Sequence, residues 1–154
     1  MCSGIALAVS ELPDELIGSP AVNSRLHTRG GEREVRFLYR QRKPLLPIWH
    51  DGRLILVQWG AGKAEHSMTK KGIVLLADIE DGIWQHFRPD PVDIPATAGL
   101  ENGIWFRVQQ GMRGVLVAED GHPPTVFMLC EPASHYYRIM TRSERMPVLI
   151  GERI

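Results

Sequence analysis

The chain has 154 residues, enough for one domain with a real core, and its 44% hydrophobic and 23% charged content is ordinary for a globular protein. Its 18 basic and 18 acidic residues cancel, and two cysteines without CxxC spacing exclude a disulfide framework. No apolar run reaches membrane-span length, so we expect a single cytoplasmic domain over residues 1–154 with no membrane partner.

In chain order, residues 4–9 (GIALAV) predict a strand. SELPDELIG (10–18) predicts a short helix, with Ser10 as N-cap, early acids and a terminal Gly18. The polar residues 19–31 predict a loop. REVRFLYRQR (33–42) alternates, with Val35, Phe37 and Tyr39 on one face and Arg36, Arg40 and Arg42 on the other, as a half-exposed strand does. PLLPIW (44–49) and RLILVQWG (53–60) flank an Asp-Gly turn and predict a hairpin. GIVLLADIEDG (72–82) reads equally as strand or helix. Glu101 falls in PATAGLENG (95–103), read as a polar turn between two apolar stretches. NGIWFRV (102–108), GVLVAED (114–120) and TVFMLCEP (125–132) predict three strands. ASHYYRIMTR (133–142) predicts a helix, and MPVLIG (146–151) a closing strand. Short connections without long helical crossovers favour an α+β, β-rich fold. The expected architecture is mainly antiparallel twisted sheets forming a barrel-like core with a few short helices.

Charge is uneven along the chain. Arg25, Arg29, Arg33, Arg36, Arg40, Arg42 and Lys43 face only Glu32 and Glu34 within the same segment, a local excess of about +5. Such a stripe on a neutral protein suits a confined anionic ligand better than extended nucleic-acid tracking, and it is also what a solvated strand face looks like. Six histidines show no metal-ligand spacing, and P-loop, GxGxxG and GxSxG patterns are absent, so neither metal nor cofactor is expected. The four tryptophans border apolar runs and read as core; Trp59, ending a strand in Trp-Gly, could instead be a stacking platform.

The cysteine at position 2 raises a chemical question. With the initiator Met removed, Cys2 would carry an α-amine titrating near ~8 beside a thiol near ~8.5. Such an amine condenses with an aldehyde, and the thiol can close the imine into a five-membered ring. A frayed terminus bearing an inert cysteine is the bland alternative.

Four short motifs give that question a context. Met1, Cys2, Ser3 and Gly4 stand near a Met-Cys-Gly start, and Trp59-Gly60 ends a strand. Pro95, Ala96, Gly99 and Glu101 approximate Pro-Ala-Asp-Gly-Phe-Tyr-Glu, and Arg145-Met146-Pro147-Val148 follows a short helix. In this order they resemble the SOS-response-associated peptidase (SRAP) family. AGKAE (61–65) is the best counterpart of the family's Asn-Ala-Arg-Ala-Glu, with Ala61 for the Asn, Lys63 for the Arg and Glu65 retained. Ser143 stands where the family has a His.

The resemblance implies that Cys2 condenses with the ring-opened aldehyde of an abasic site in single-stranded DNA, giving a thiazolidine that shields the lesion in a DNA damage response. It implies that Glu101 moves protons, with Ser143 or a compensating His135 at the family's His role. Arg36, Arg40 and Arg42 would hold phosphates, with Trp59, Lys63 and Arg145 completing the DNA surface. Two rivals stand beside this reading. One is an N-terminal-nucleophile cysteine peptidase or amidase. The other is a degenerate homologue that binds nucleic acid or protein without chemistry.

Overall fold

The computed structural model describes residues 2–60 and 72–154. The expected β-rich α+β fold is what it has, with mostly antiparallel sheets and a few short helices. Strand β1 (Gly4–Ala8) is followed by β2 (Leu26–Arg29) and β3 (Glu32–Leu38). The hairpin β4 (Leu45–His50) and β5 (Arg53–Trp59) turns on Asp51 and Gly52, whose φ values of 51° and 75° are the paired positive angles of a type I′ turn. Then come β6 (Ile73–Leu75), β7 (Asp90–Pro95), β8 (Ala98–Glu101) and β9 (Ile104–Arg107). The last strands are β10 (Gly111–Val117), β11 (Thr125–Pro132) and β12 (Arg145–Pro147).

One sheet runs β2-β3-β1-β8-β9, with β1 at its centre and buried along most of its length. In the other, β10 pairs β7, β7 pairs β4, β4 pairs β5, β5 pairs β11, and β11 returns to β10. Those five strands form a closed ring, the barrel-like element. The ring closes through a parallel contact, Thr125 opposite Gln58 and Val126 opposite Trp59, and β6 also joins β11 in parallel. These are departures from an all-antiparallel pattern. Pro47, lacking an N–H, sits in β4 where its ladder to β7 is reduced to Trp49 opposite Asp93.

The larger core draws Ile5, Leu7 and Phe37 from the first sheet and Leu46, Ile48, Trp59, Ile94 and Met112 from the ring. A second cluster joins Val74, Trp84, Val115, Phe127, Leu129 and Val148. Alternate residues of β10 and β11 therefore go to opposite clusters, and both faces of these strands are buried.

Several local expectations are corrected. SELPDELIG is not a helix: a single 3₁₀ turn at Val9–Glu11 precedes turns, because Pro13 has no N–H to donate and obstructs the preceding turn. The 19–31 loop contains β2 and the one-turn helix α1 (Pro20–Asn23), capped by Ser19 with Pro20 at its first position. The strand expected over 33–42 stops at Leu38, so Arg40 and Arg42 lie in the following turn and not on the face of Arg36. Residues 72–82 hold both alternatives in succession, β6 and then helix α2 (Leu76–Glu80). The closing strand ends at Pro147, and Leu149 adds one isolated bridge to Met112. Among the described residues no helix is long and apolar enough to cross a membrane.

Candidate functional site

Cys2 lies just ahead of β1, at the centre of the first sheet. The Ser3 N–H donates to the Leu100 carbonyl at 2.9 Å, and the Tyr39 N–H donates to the Ser3 carbonyl at 2.9 Å. These bonds anchor the entry to β1 between β3 and β8. The Cys2 side chain is 4% exposed, and its thiol donates to the Gly4 carbonyl at 3.4 Å. Burial pushes the thiol up from 9.0 to about 12, the Glu101 carboxylate adds to that, and the bond to Gly4 acts against it. At neutral pH the sulfur is held as a thiol.

Glu101 is not in a polar turn. It is the last residue of β8 and fully buried, facing Ile104 across a tight hairpin. The turn is Asn102-Gly103, with φ of 49° and 79°. This pair is itself a strong hairpin signal, which locates Glu101 at a strand end from sequence. What it does not indicate is which way the carboxyl points.

Tyr137 is the residue that sequence reasoning passed over. Helix α3 (His135–Thr141) is N-capped by Ser134, whose hydroxyl accepts from the Tyr137 N–H at 3.1 Å. Tyr137 is completely buried, with its ring edge-on to Phe106 at 5.3 Å, and its hydroxyl donates to Glu101 Oε1 at 3.1 Å. Burial raises its pKa above the ordinary tyrosine value, and Cys2 and Glu101 push in the same direction. The Tyr137–Glu101 bond, with the Ser3–Leu100 backbone bond beside it, brings phenol and carboxyl next to the entry of β1. His135 begins the same helix but is exposed, so the helix turns Tyr137 inward rather than the imidazole.

The C-terminal end of α3 is tied to this cluster. Asn102 Nδ2 donates to the Thr141 carbonyl at 2.7 Å, joining the β8–β9 turn to the helix. The Thr141 hydroxyl donates to the Tyr137 carbonyl at 2.7 Å, and the Ser143 N–H donates to Thr141 Oγ1 at 3.3 Å. Ser143 is 7% exposed, and its hydroxyl donates to the Arg145 carbonyl at 2.9 Å. Arg145 is exposed on β12.

The basic stripe divides into different roles. Arg25 is buried and donates to Gln41, to the Ala21 carbonyl and to the Lys43 carbonyl, so it braces the loops around it. Glu34 Oε1 accepts from Arg29 at 3.0 Å and its Oε2 from Arg36 at 2.9 Å. Both guanidinium carbons lie 5.0 Å from the Trp105 ring centroid. Arg40 and Arg42 are exposed.

Trp59 is fully buried, with its indole N–H on the Gly72 carbonyl at 2.8 Å and its ring against Tyr39 at 5.2 Å. It is a core residue, not a stacking platform. Lys63 and the AGKAE segment lie outside the described residues. Set against known protein families, characterised proteins and solved structures, the chain matches none.

Proposed function

We propose that the protein forms a covalent adduct between Cys2 and the ring-opened aldehyde of an abasic site in single-stranded DNA. One observation carries this reading: Tyr137, near the C-terminal end, bonds to buried Glu101, and the backbone of Ser3, next to Cys2, bonds to that of Leu100, next to Glu101. The Glu101 carboxylate adds to the burial that keeps the Cys2 thiol protonated, and Tyr137 binds Glu101 directly.

The chemistry needs Cys2 to be the first residue. Its unprotonated amine adds to the aldehyde carbon to give a carbinolamine. Loss of water leaves an imine. The thiol sulfur then bonds to the imine carbon while its proton passes to nitrogen, closing a thiazolidine. Glu101 supports this sequence by accepting a proton from the attacking amine and returning one to the departing hydroxyl. Tyr137 orients that carboxyl through its O–H···Oε1 bond. Exposed Arg40, Arg42 and Arg145 supply contacts for the flanking phosphates.

The thiol held in its protonated form supports this reading over a cysteine peptidase, in which a thiolate must attack an amide at the outset. In the adduct reading the amine attacks first and the sulfur meets an imine that is already electrophilic. The burial of Cys2 also suits a binding protein without chemistry. Intact-mass measurement, followed by incubation with abasic single-stranded DNA and denaturing electrophoresis, separates the two. A denaturation-resistant adduct that disappears in Cys2→Ala is the expected result. Retention of Met1, or an equally abundant adduct in Cys2→Ala, overturns the proposal.

A further inference from the structure

A cleft among the described residues lies away from Cys2. It opens beside Ala8, at the far end of β1, and has a volume of about 1160 Å³. Six residues of extended strand put it roughly 20 Å from the candidate site. Cavities that hold small organic ligands typically measure about 300–1,000 Å³, so this space exceeds what an inorganic anion needs.

Its wall is prepared in layers. Ala98, on β8, forms part of the wall and is almost fully buried, held against β1 by its pairing with Ala6. Trp105 lies on the adjoining strand, and Arg29 and Arg36 cover its ring at 5.0 Å. Glu34, 6% exposed, holds both guanidiniums through separate carboxylate oxygens. The planar cations are therefore fixed before any ligand arrives, and little side-chain entropy remains to be lost on binding. A flat guanidinium of this kind is a surface on which a nucleobase stacks.

The remaining polar groups match the rest of a nucleotide. Arg33, Arg107 and Arg153 line the cleft with exposed guanidiniums suited to bidentate phosphate contacts. Glu32 and Glu152 line it as well, and a carboxylate is a good acceptor for sugar hydroxyls. A long polyanion would gain from the arginines and be repelled by these acids. A single nucleoside phosphate can use both.

We infer that this cleft is a nucleotide-binding site, with the base on the Arg29–Trp105 layer, the phosphate on Arg33, Arg107 and Arg153, and the sugar hydroxyls facing Glu32 or Glu152. It is independent of the adduct chemistry at Cys2.

Calorimetric titration of the whole protein with AMP, adenosine and inorganic phosphate at low salt tests it. AMP binds, and phosphate and adenosine each bind at least about tenfold more weakly, because each lacks half of the recognised groups. Arg107→Glu and Arg153→Glu, both at exposed positions and checked for native circular dichroism, each weaken AMP by at least about tenfold. Cys2→Ala leaves AMP binding unchanged, so failure here is distinguishable from failure of the adduct reading. No heat with millimolar AMP, phosphate binding as tightly as AMP, or full affinity in both folded arginine variants overturns the inference.

Discussion

The Tyr137 hydroxyl reaches Glu101 Oε1 across 3.1 Å, with both side chains removed from solvent. The bond joins the inward face of a seven-residue helix to the last residue of a strand 36 positions earlier. It therefore fixes the carboxyl's orientation from a separate element.

Tyr137→Phe removes the donor and leaves the ring in place against Phe106. A buried oxygen deprived of a hydrogen bond costs about 1–3 kcal/mol. We expect a loss of that order in denaturant unfolding, with the m-value unchanged. A variant as stable as the parent would mean that the bond contributes nothing to folding.

Glu101→Gln keeps the shape and retains an amide oxygen to accept from Tyr137, but it cannot carry a proton. General acid–base help is typically worth ~10²–10⁴-fold. Adduct formation with abasic single-stranded DNA should slow by that order while the fold is kept. An undiminished rate would remove Glu101 from the chemistry even if Cys2 remained in it.

Alkaline pH should destabilise the protein through Cys2. Its thiol is raised from 9.0 to about 12, so between these values the folded chain retains a proton that the unfolded chain has released. That stability is complete below the unfolded value and is lost as pH rises toward the folded one. Unfolding free energies measured from pH 8 upward should fall more steeply for the parent than for Cys2→Ala. Slow alkylation of native Cys2 at neutral pH, against rapid labelling in denaturant, reports the same protonated, buried thiol.

The arginines should separate by role. Neutralising Arg40 and Arg42 should weaken single-stranded DNA binding and reduce its log–log salt slope by about one unit per lost contact, with no change in stability. Arg36→Ala instead releases Glu34 and uncovers Trp105, so lower stability is expected. An unchanged salt slope for the Arg40/Arg42 pair would return those residues to simple surface solvation.

Gly111 occupies a backbone angle of +152°, and a methyl group there would run into the Ile94 carbonyl oxygen. Backbone stands on the other side, so no flexible side chain can yield. Gly111→Ala should cost at least the ~1–3 kcal/mol of an overpacked core. A melting temperature equal to the parent's would show that β7 and β10 are more loosely apposed than their register implies.

The alternation of apolar residues located most strands well, because alternation records burial directly. It failed where chemistry other than hydrophobicity set the structure. Pro91 and Pro95 disguise β7, although Val92 and Ile94 between them are buried. Ala98 and Gly99 make β8 look like a turn, yet Gly99 leaves room for Phe106 and Met112. Cys2 and Glu101 were legible as reactive residue types in a suggestive order. Tyr137 was not, since an aromatic on an amphipathic helix reads as core and its partner is distant in sequence. Arg25 and Arg40 look alike in the sequence, and only tertiary structure makes one a buried brace and leaves the other exposed.

The parallel contact between β5 and β11 joins Gln58 to Thr125 and Trp59 to Val126. As the chain leaves the ribosome, β5 is made long before the strand that covers its free edge. Through that interval an apolar strand edge is open to other nascent chains. Yield in cells should therefore respond to chaperone supply and to pauses in translation ahead of β11 more than the finished protein's stability would suggest.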